Sequence, residues 1–548
     1  MNTKQILISI LVLVGFITFL GLFLDIMAPD GALYASIAKT MYTNNDFTNL
    51  FFLDKDWLDK PHLPFWLTAL SFKIFGVNSF AYKLPAVFVF LFGVWITYKF
   101  TRENYNKETA ILAVIILLTS LHSVLSNFDV RAEPFLTGFI IASVYYFHKY
   151  IKFNTKINLV LGCLFAAFSL MTKGTFTLIP IAAALGGELI IKKNWKQLCS
   201  PIWLVALILM FLFTLPELYT LYLQFDAHPE KTVFGENGIS GIKFFLWDSQ
   251  FGRFFNIGPI VNYEGNIFFF IHTILWAFLP WSVLFYLALF FKIKRNFKTI
   301  NKNEEFYSIF STLTIIFVFS ISKFQLSHYT NIVFPFMAIL TADFIYKLKT
   351  HSIKLQKTYT LIQLSIAIGI LLLIPIVYYI MIDTLDIVLF LITVLCALII
   401  YFTYSNQTIH KVYKVFITSS VIFLAFYTFL ITSFYPTLLK YQGGVYAAQY
   451  ANNTLKKVSL IKGDIPHFCF EFYNNLPIIR VSPEEIAKHK NEIIYLSQHQ
   501  LDTLKAQEIS YSIIKEFQNF RITKLTFNFV NKATRNTVVD KTYLVAIN

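Results

Sequence analysis

The sequence predicts an α-helical polytopic membrane protein with a small α/β region at its C-terminal end. Three observations carry that expectation. Of 548 residues, 56% are hydrophobic and only 14% are charged, against roughly 25% charged in a soluble domain. Long apolar runs recur along the chain, each near the ~20 residues needed to cross a bilayer. Lys and Arg then concentrate in every second connection between those runs.

The apolar runs place about thirteen crossings, at residues 5–24, 82–100, 109–125, 134–150, 157–171, 175–191, 201–221, 266–291, 306–321, 329–346, 358–380, 385–402 and 413–434. The first, preceded by Lys4, resembles a signal peptide, but no small-x-small cleavage site follows it, so it reads as a retained anchor. One set of connections holds Lys99, Arg102 and Lys107, then Lys149, Lys152 and Lys156, then Lys192, Lys193 and Lys196. The same set continues through Lys292, Lys294, Arg295, Lys298 and Lys302, through Lys347, Lys349, Lys354 and Lys357, and ends with Lys411 and Lys414. These loops are expected in the cytoplasm. That orientation puts the N-terminus inside and everything beyond about Ser433 outside, with the bacterial inner (plasma) membrane as the expected location. The net charge of +15 is spread over these loops and suits membrane orientation better than nucleic-acid binding. Membrane lipids are the expected surroundings, and no nucleic-acid partner is expected.

Two long connections fall on the outer side, residues 25–81 and 222–265. In the first, Leu33, Ile37 and Met41 repeat at helical spacing, as do Leu63, Trp66, Leu67, Leu70 and Ile74; both stretches read as interfacial helices. Residues 1–435 thus form a membrane domain and 436–548 an external one. In the latter, His467–Tyr473, Ile478–Val481, Glu492–Ser497, Thr523–Val530 and Thr542–Ile547 read as β-rich runs. The four cysteines, Cys163, Cys199, Cys396 and Cys469, have neither a disulfide framework nor zinc spacing.

Ionisable side chains at the ends of membrane helices are functional candidates, and here they share one side. Asp30 follows the first span. Asp59 and Lys60 lie in the first long loop, Asp129, Arg131 and Glu133 between spans three and four, and Lys173 between spans five and six. Arg253 lies in the second long loop, and Lys323 and His328 join spans nine and ten. Each has a plainer reading. Asp30 and Asp59 fit as helix caps, Glu133 before Pro134 as a helix start, Lys173 and Lys323 as snorkelling lysines, and Arg253 as a partner of Asp248. Together, cations with separated carboxylates suit a phosphate-bearing substrate and a proton acceptor.

The same residues carry a family resemblance. Pro29-Asp30-Gly31-Ala32-Leu33-Tyr34-Ala35, Asp59-Lys60-Pro61-His62-Leu63-Pro64-Phe65-Trp66-Leu67, Lys83-Leu84-Pro85 and Asp129-Val130-Arg131-Ala132-Glu133-Pro134 come first. Met171-Thr172-Lys173-Gly174, Phe251-Gly252-Arg253-Phe254, Pro280-Trp281-Ser282 and Ser322-Lys323-Phe324-Gln325-Leu326-Ser327-His328-Tyr329 follow. In this order, over residues 25–340, they resemble the motifs of the aminoarabinose transferase (lipid A) and protein O-mannosyltransferase-like enzymes. Gly31, Asp59 and Ser327 depart from the family pattern, which has a second acid, a Glu and a Pro there.

The resemblance implies a GT-C fold and an inverting sugar transfer from a polyprenyl-phosphate-linked donor. The acceptor would be a hydroxyl or phosphate on lipid A, another surface glycolipid or glycan, or a protein. It implies Asp30 as the catalytic base, with Glu133 or Asp129 positioning acceptor or sugar. Lys60, Lys173, Arg253 and Lys323 would hold the donor phosphate, and Tyr34, Asp59, His328 and Tyr329 would contact substrate. No cofactor is certain; a divalent metal near Asp59 is left open because its ligand set is incomplete. A transporter or flippase for a lipid-linked substrate is the alternative from another class. It needs ionisable groups near mid-bilayer and paired broken helices, neither of which is evident in the sequence. A receptor-like module that merely uses the spans as an anchor fits thirteen crossings poorly.

Overall fold

The computed structural model describes residues 3–262, 265–298, 301–454, 457–461 and 467–548. Tyr263 and Glu264 of the second long loop lie outside the described residues. The chain begins with α1 (Thr3–Gly21) and α2 (Asp30–Thr43), then a hairpin of β1 (Phe51–Phe52) and β2 (Lys55–Asp56), then α3 (Leu63–Phe75). It continues with α4 (Ser79–Asn104), α5 (Lys107–Thr119), α6 (Leu121–Phe128), α7 (Glu133–Phe153) and α8 (Lys156–Lys173). Further membrane helices follow as far as Lys411–Phe429. Among the described residues, eight helices are long and apolar enough to cross a membrane, or nine with α5 and α6 as one bent span. Helices also occupy the remaining expected spans, but Leu178–Ile191 and Tyr307–Ile321 are short.

The expected span 266–291 is two helices, Phe269–Ala277 and Ser282–Lys298. Nine residues rise only ~14 Å, and Pro280 cannot donate a helical hydrogen bond. This break meets the 55° bend between α5 and α6. Leu121 N donates to Leu279 O at 2.9 Å, and the buried Trp281 indole donates to Thr119 Oγ1 at 2.9 Å. Freed backbone at membrane depth is tolerated where protein covers it and supplies partners, and each break does so for the other.

Small residues let α4 and α7 pack closely: a Cβ at Gly93 would lie 2.6 Å from Gly138 Cα, and one at Gly138 would meet Val89 O. Close helix contact through glycines is a common device in membranes. It draws Glu133, the first residue of α7, towards the helices around it.

Two ends of the bundle differ in character. At one end the basic loops are tied by ion pairs, among them Lys349–Glu108 at 2.9 Å, Lys347–Asp343 at 2.7 Å and Lys149–Glu103 at 3.5 Å. The other end carries the candidate site and the C-terminal sheet. Both expected helices of the first long loop form. In α3, Leu70 and Ile74 are exposed, as an interfacial helix requires. In α2, by contrast, Ile37 and Met41 are buried, because the C-terminal region covers that helix rather than lipid headgroups.

The second long loop holds the hairpin of β3 (Thr232–Val233) and β4 (Glu236–Asn237). The C-terminal region contains a mixed sheet of β5 (Val458–Ile461), β6 (Ile478–Val481), β7 (Ile493–Ser497), β8 (Tyr511–Asn519) and β9 (Asp540–Ile547). The order is β6-β5-β7-β9-β8, with β5 parallel to both neighbours and β9 antiparallel to both of its own. Three of the five expected β-rich runs are strands. His467–Tyr473 is instead largely a helix (Phe468–Tyr473), and Thr523–Val530 is loop plus the short helix Phe527–Val530. Phe470 and Phe472 in the first run and Phe529 in the second are buried, and such packing decides the backbone more than strand preference does.

Charge bias predicts that a phosphatase or fluorescent reporter fused at Asn548 reports the non-cytoplasmic side. A cytoplasmic signal would contradict that orientation.

Candidate functional site

Two helix starts and one helix end converge on one polar cavity of about 220 Å³. Its wall includes Asp30, Tyr34, Asp59, Lys60, Glu133, Lys173, Arg253, His328 and Tyr329, nine of the eleven residues expected from the sequence, together with Arg131. The local sequence explains the convergence. Asp30 opens α2, and Glu133 opens α7 with Pro134 in its first turn. Lys173 closes α8, and Gly174 after it has φ +104°. A side chain at Gly174 would be strained by that φ and would also overlap the Gln250 amide.

Ion pairs organise the wall. Asp30 takes an Arg131 guanidinium N–H at 2.7 Å, and Arg131 also reaches Asp129 at 3.1 Å. Asp59 pairs with Lys60 at 2.6 Å and, through its other oxygen, with Arg253. Glu133 pairs with Lys173 and lies 3.7 Å from His328 Nε2. The Lys173 ammonium also lies over the Tyr329 ring, 4.1 Å from its centre, a favourable cation–π arrangement.

Glu133 does start α7, as its plainer reading has it, but the pairings replace three of the other plainer readings. Pro29, not Asp30, holds the cap position of α2, and the Asp30 carboxylate lies on the cavity wall paired to Arg131. Lys173 is buried against Glu133 rather than snorkelling. Arg253 pairs with Asp59 and donates to Ser249 Oγ at 3.0 Å, whereas Asp248 faces Lys243 at 3.5 Å.

Two expected residues are not on the wall. Asp129 sits behind Arg131, one link back from the cavity. Lys323 is not among the lining residues, although Phe324 and Leu326 just beyond it are. Its backbone still matters: Lys323 N donates to Phe254 O at 2.9 Å and its carbonyl accepts from Gly265 N at 2.8 Å, which pins the segment bearing Arg253.

The electrostatics outside the membrane spans follow from crowding. Burial and the neighbouring Arg253 guanidinium push the Lys60 ammonium down to about 8, against the pull of Asp59. Asp59 is held below the usual carboxylate range, because Lys60 and Arg253 outweigh its burial. Burial raises Asp129, and Arg131 only partly offsets it. Burial also drives the Tyr34 hydroxyl well above its ordinary value, helped by Asp59 and Asp30, so Tyr34 is a neutral hydrogen-bonding group.

The wall carries four cationic side chains against three carboxylates, which leaves room for an anion. Asp30 is the most accessible of the carboxylates, its side chain 40% exposed, while that of Glu133 is 2% exposed and enclosed by its partners. Among the described residues, no cluster of three or more His, Cys, Asp or Glu could hold a metal ion. Asp59 has each oxygen engaged by a cation, so this donor set does not fit one.

The sequence marks Arg131 only as one of the polar candidates on this face, without a specific role, and gives Glu217 none. The fully buried Glu217 accepts from His62 N at 2.9 Å and pairs with His62 Nδ1 at 3.0 Å. This fixes the N-cap of α3, His62, two residues beyond Lys60. An acid near the end of an otherwise apolar span is itself a signal.

Comparison with known proteins agrees with this architecture. Residues 59–219 match the family model described as dolichyl-phosphate-mannose-protein mannosyltransferase. An uncharacterized protein of Aquifex aeolicus is 27% identical over 66% of this chain and 68% of its own length. The undecaprenyl phosphate-alpha-4-amino-4-deoxy-L-arabinose arabinosyl transferase of Enterobacter sp. is 27% identical over 61% of this chain and 58% of its own. The chain therefore matches less than two thirds of that transferase's length. ArnT from Cupriavidus metallidurans, in a crystal structure bound to undecaprenyl phosphate, superposes with a TM-score of 0.76 at 15% identity, covering 99% of this chain and 98% of that one. The chain is thus similar in sequence to lipid-phosphate-sugar glycosyltransferases, the aminoarabinose transferases among them, and shares the fold of ArnT.

Proposed function

We propose that the chain transfers a sugar from a polyprenyl-phosphate donor to an acceptor hydroxyl or phosphate, with inversion, on the non-cytoplasmic face of the membrane. The observation that carries this reading is the charged cavity, where an accessible carboxylate stands beside cations that already hold anionic partners. In the reading, residues 1–435 form the catalytic unit and the C-terminal region from 436 onward supports it.

The donor phosphate enters among Lys60, Lys173 and Arg253. Arg253 binds its oxygens through a planar fork of N–H groups and the lysines act as point charges. Tyr34, Tyr329 and His328 line the space for the sugar. The acceptor oxygen attacks the anomeric carbon from the side opposite the phosphate, and the C–O bond to phosphate breaks. Asp30 takes the acceptor hydroxyl proton, and the phosphate leaves with its electron pair, needing charge stabilisation rather than a proton. Arg131 orients Asp30. Glu133, enclosed by Lys173 and His328, keeps the donor cations in place. No step passes through a metal.

The transporter reading has less support. The two helix breaks meet backbone to backbone, at Ser120 and at Leu279–Pro280–Trp281, and the ionisable side chain between them, His122, is packed on Trp276 and engaged by Asn331. A transport site needs ion-binding groups there.

Two outcomes follow. Asp30 caps no helix, and an amide there keeps an oxygen for Arg131 but cannot take the acceptor proton, so Asp30→Asn should purify like wild type and lose roughly 10²–10⁴-fold in turnover. Near-wild-type transfer by that variant would remove Asp30 from the mechanism. The second outcome concerns pH. The free enzyme binds phosphate through a Lys60 ammonium titrating at about 8, so kcat/KM for the donor should fall as pH rises through that value. Arg stays charged throughout, so Lys60→Arg should flatten that limb. The same alkaline fall in both proteins would assign it to another group.

A further inference from the structure

The catalytic carboxylate stands at the end of a short linker that has no secondary structure of its own. Residues 22–29 join α1 to α2, and Asp30 follows directly. Such a linker would let Asp30 drift unless hydrogen bonds held its backbone.

They lead to the C-terminal region. The Gln442 side chain accepts from Ala28 N at 2.8 Å and donates to Ile26 O at 3.0 Å. The Tyr473 hydroxyl accepts from Ile26 N at 2.8 Å and shares a hydrogen bond with Ser79 Oγ at 2.8 Å. Gln442 is 4% exposed and Ile26 is 1% exposed, so water does not replace these partners. A primary amide presents a donor and an acceptor side by side, and here it reads the linker as a neighbouring strand would. From the membrane side, Lys83 Nζ donates to Leu24 O at 2.6 Å and Gly21 O at 3.2 Å. Farther along α2, Lys39 Nζ donates to Glu471 O at 3.1 Å and Phe472 O at 2.9 Å, the last carbonyls of the helix that carries Tyr473. The hairpin beyond α2 is held too, through Arg480–Asp54 at 2.9 Å and the stacked rings of Phe52 and Phe468.

We infer that Gln442 and Tyr473 are positioning residues: the C-terminal region holds the linker before Asp30 and so fixes the base against the donor cavity. The inference rests on Asp30 being the base. Because a displacement of ~1 Å at a reacting group can lower a rate by ~10²-fold, loss of the clamp should act on turnover and leave donor binding alone.

The test uses the full chain in lipid nanodiscs, with Gln442→Leu, Asp30→Asn and the double variant. Gln442→Leu should lower kcat by roughly 10–100-fold with donor KM within about twofold. The double variant should be no slower than Asp30→Asn alone, since a residue acting through Asp30 has nothing left to position. Hydrogen exchange should rise in the peptide covering residues 25–33 and not in the cavity segment around Lys173. If Gln442→Leu does not fold, Tyr473→Phe, which removes one hydroxyl, takes its place with the same expectations. Losses that multiply in the double variant, or a raised KM with kcat intact, would overturn the positioning role. Unchanged exchange at residues 25–33 would overturn the clamp itself. If the wild-type chain transfers no sugar at all, the proposed function fails, and the exchange measurement still decides the clamp.

Discussion

Glu133 and Lys173 form the pair on which the site depends. One opens α7 and the other closes α8, and their side chains are 2% and 6% exposed. Either charge alone at that depth would carry a desolvation penalty of several kcal/mol, so each element is held where it can reach the other. The same constraint recurs around the cavity: Asp59 sits between Lys60 and Arg253, and Arg131 between Asp30 and Asp129. Helix packing follows from it. Gly93 and Gly138 let α4 and α7 approach, and Gly174 ends α8 without a side chain where Gln250 crosses it.

Pairing also explains why such a site can accept an anion. Cations that are fully matched by carboxylates hold a phosphate only by exchanging partners. Here the wall has one more cation than carboxylate. In the proposed reading a phosphate among Lys60, Lys173 and Arg253 improves the charge balance of the cavity, while Arg131 stays on Asp30 and keeps its carboxylate facing the acceptor.

Much of this was legible in the sequence. Long apolar runs and alternating Lys/Arg loops are strong signals, and they located the membrane helices and the end at which the polar residues gather. Ordered motifs then located nine of the wall residues. What escaped notice depends on three-dimensional detail. Pro280 lies within an apolar run, and only the partner break at Ser120 shows why the span is divided there. Lys323 reads as another phosphate ligand in its motif, yet the cavity wall of that segment is made by Phe324 and Leu326. His467–Tyr473 has strand-like composition, yet Cys469, Phe470 and Phe472 bury on one side as a helix. Gln442 carries no motif at all, since an amide in a polar loop gives no signal until the linker it holds is seen beside it.

The central claim is that the paired cations form the receptor for a lipid-linked phosphate. Titration of the purified chain with a polyprenyl phosphate, followed by native mass spectrometry, tests it most directly. One lipid should bind per chain, and Arg253→Ala should weaken that binding by roughly 30-fold or more, as loss of a charged hydrogen bond of ~2 kcal/mol or more requires. Arg521→Ala, remote from the cavity, should bind as wild type does. Equal affinity in wild type and Arg253→Ala, with both proteins folded, would contradict the account.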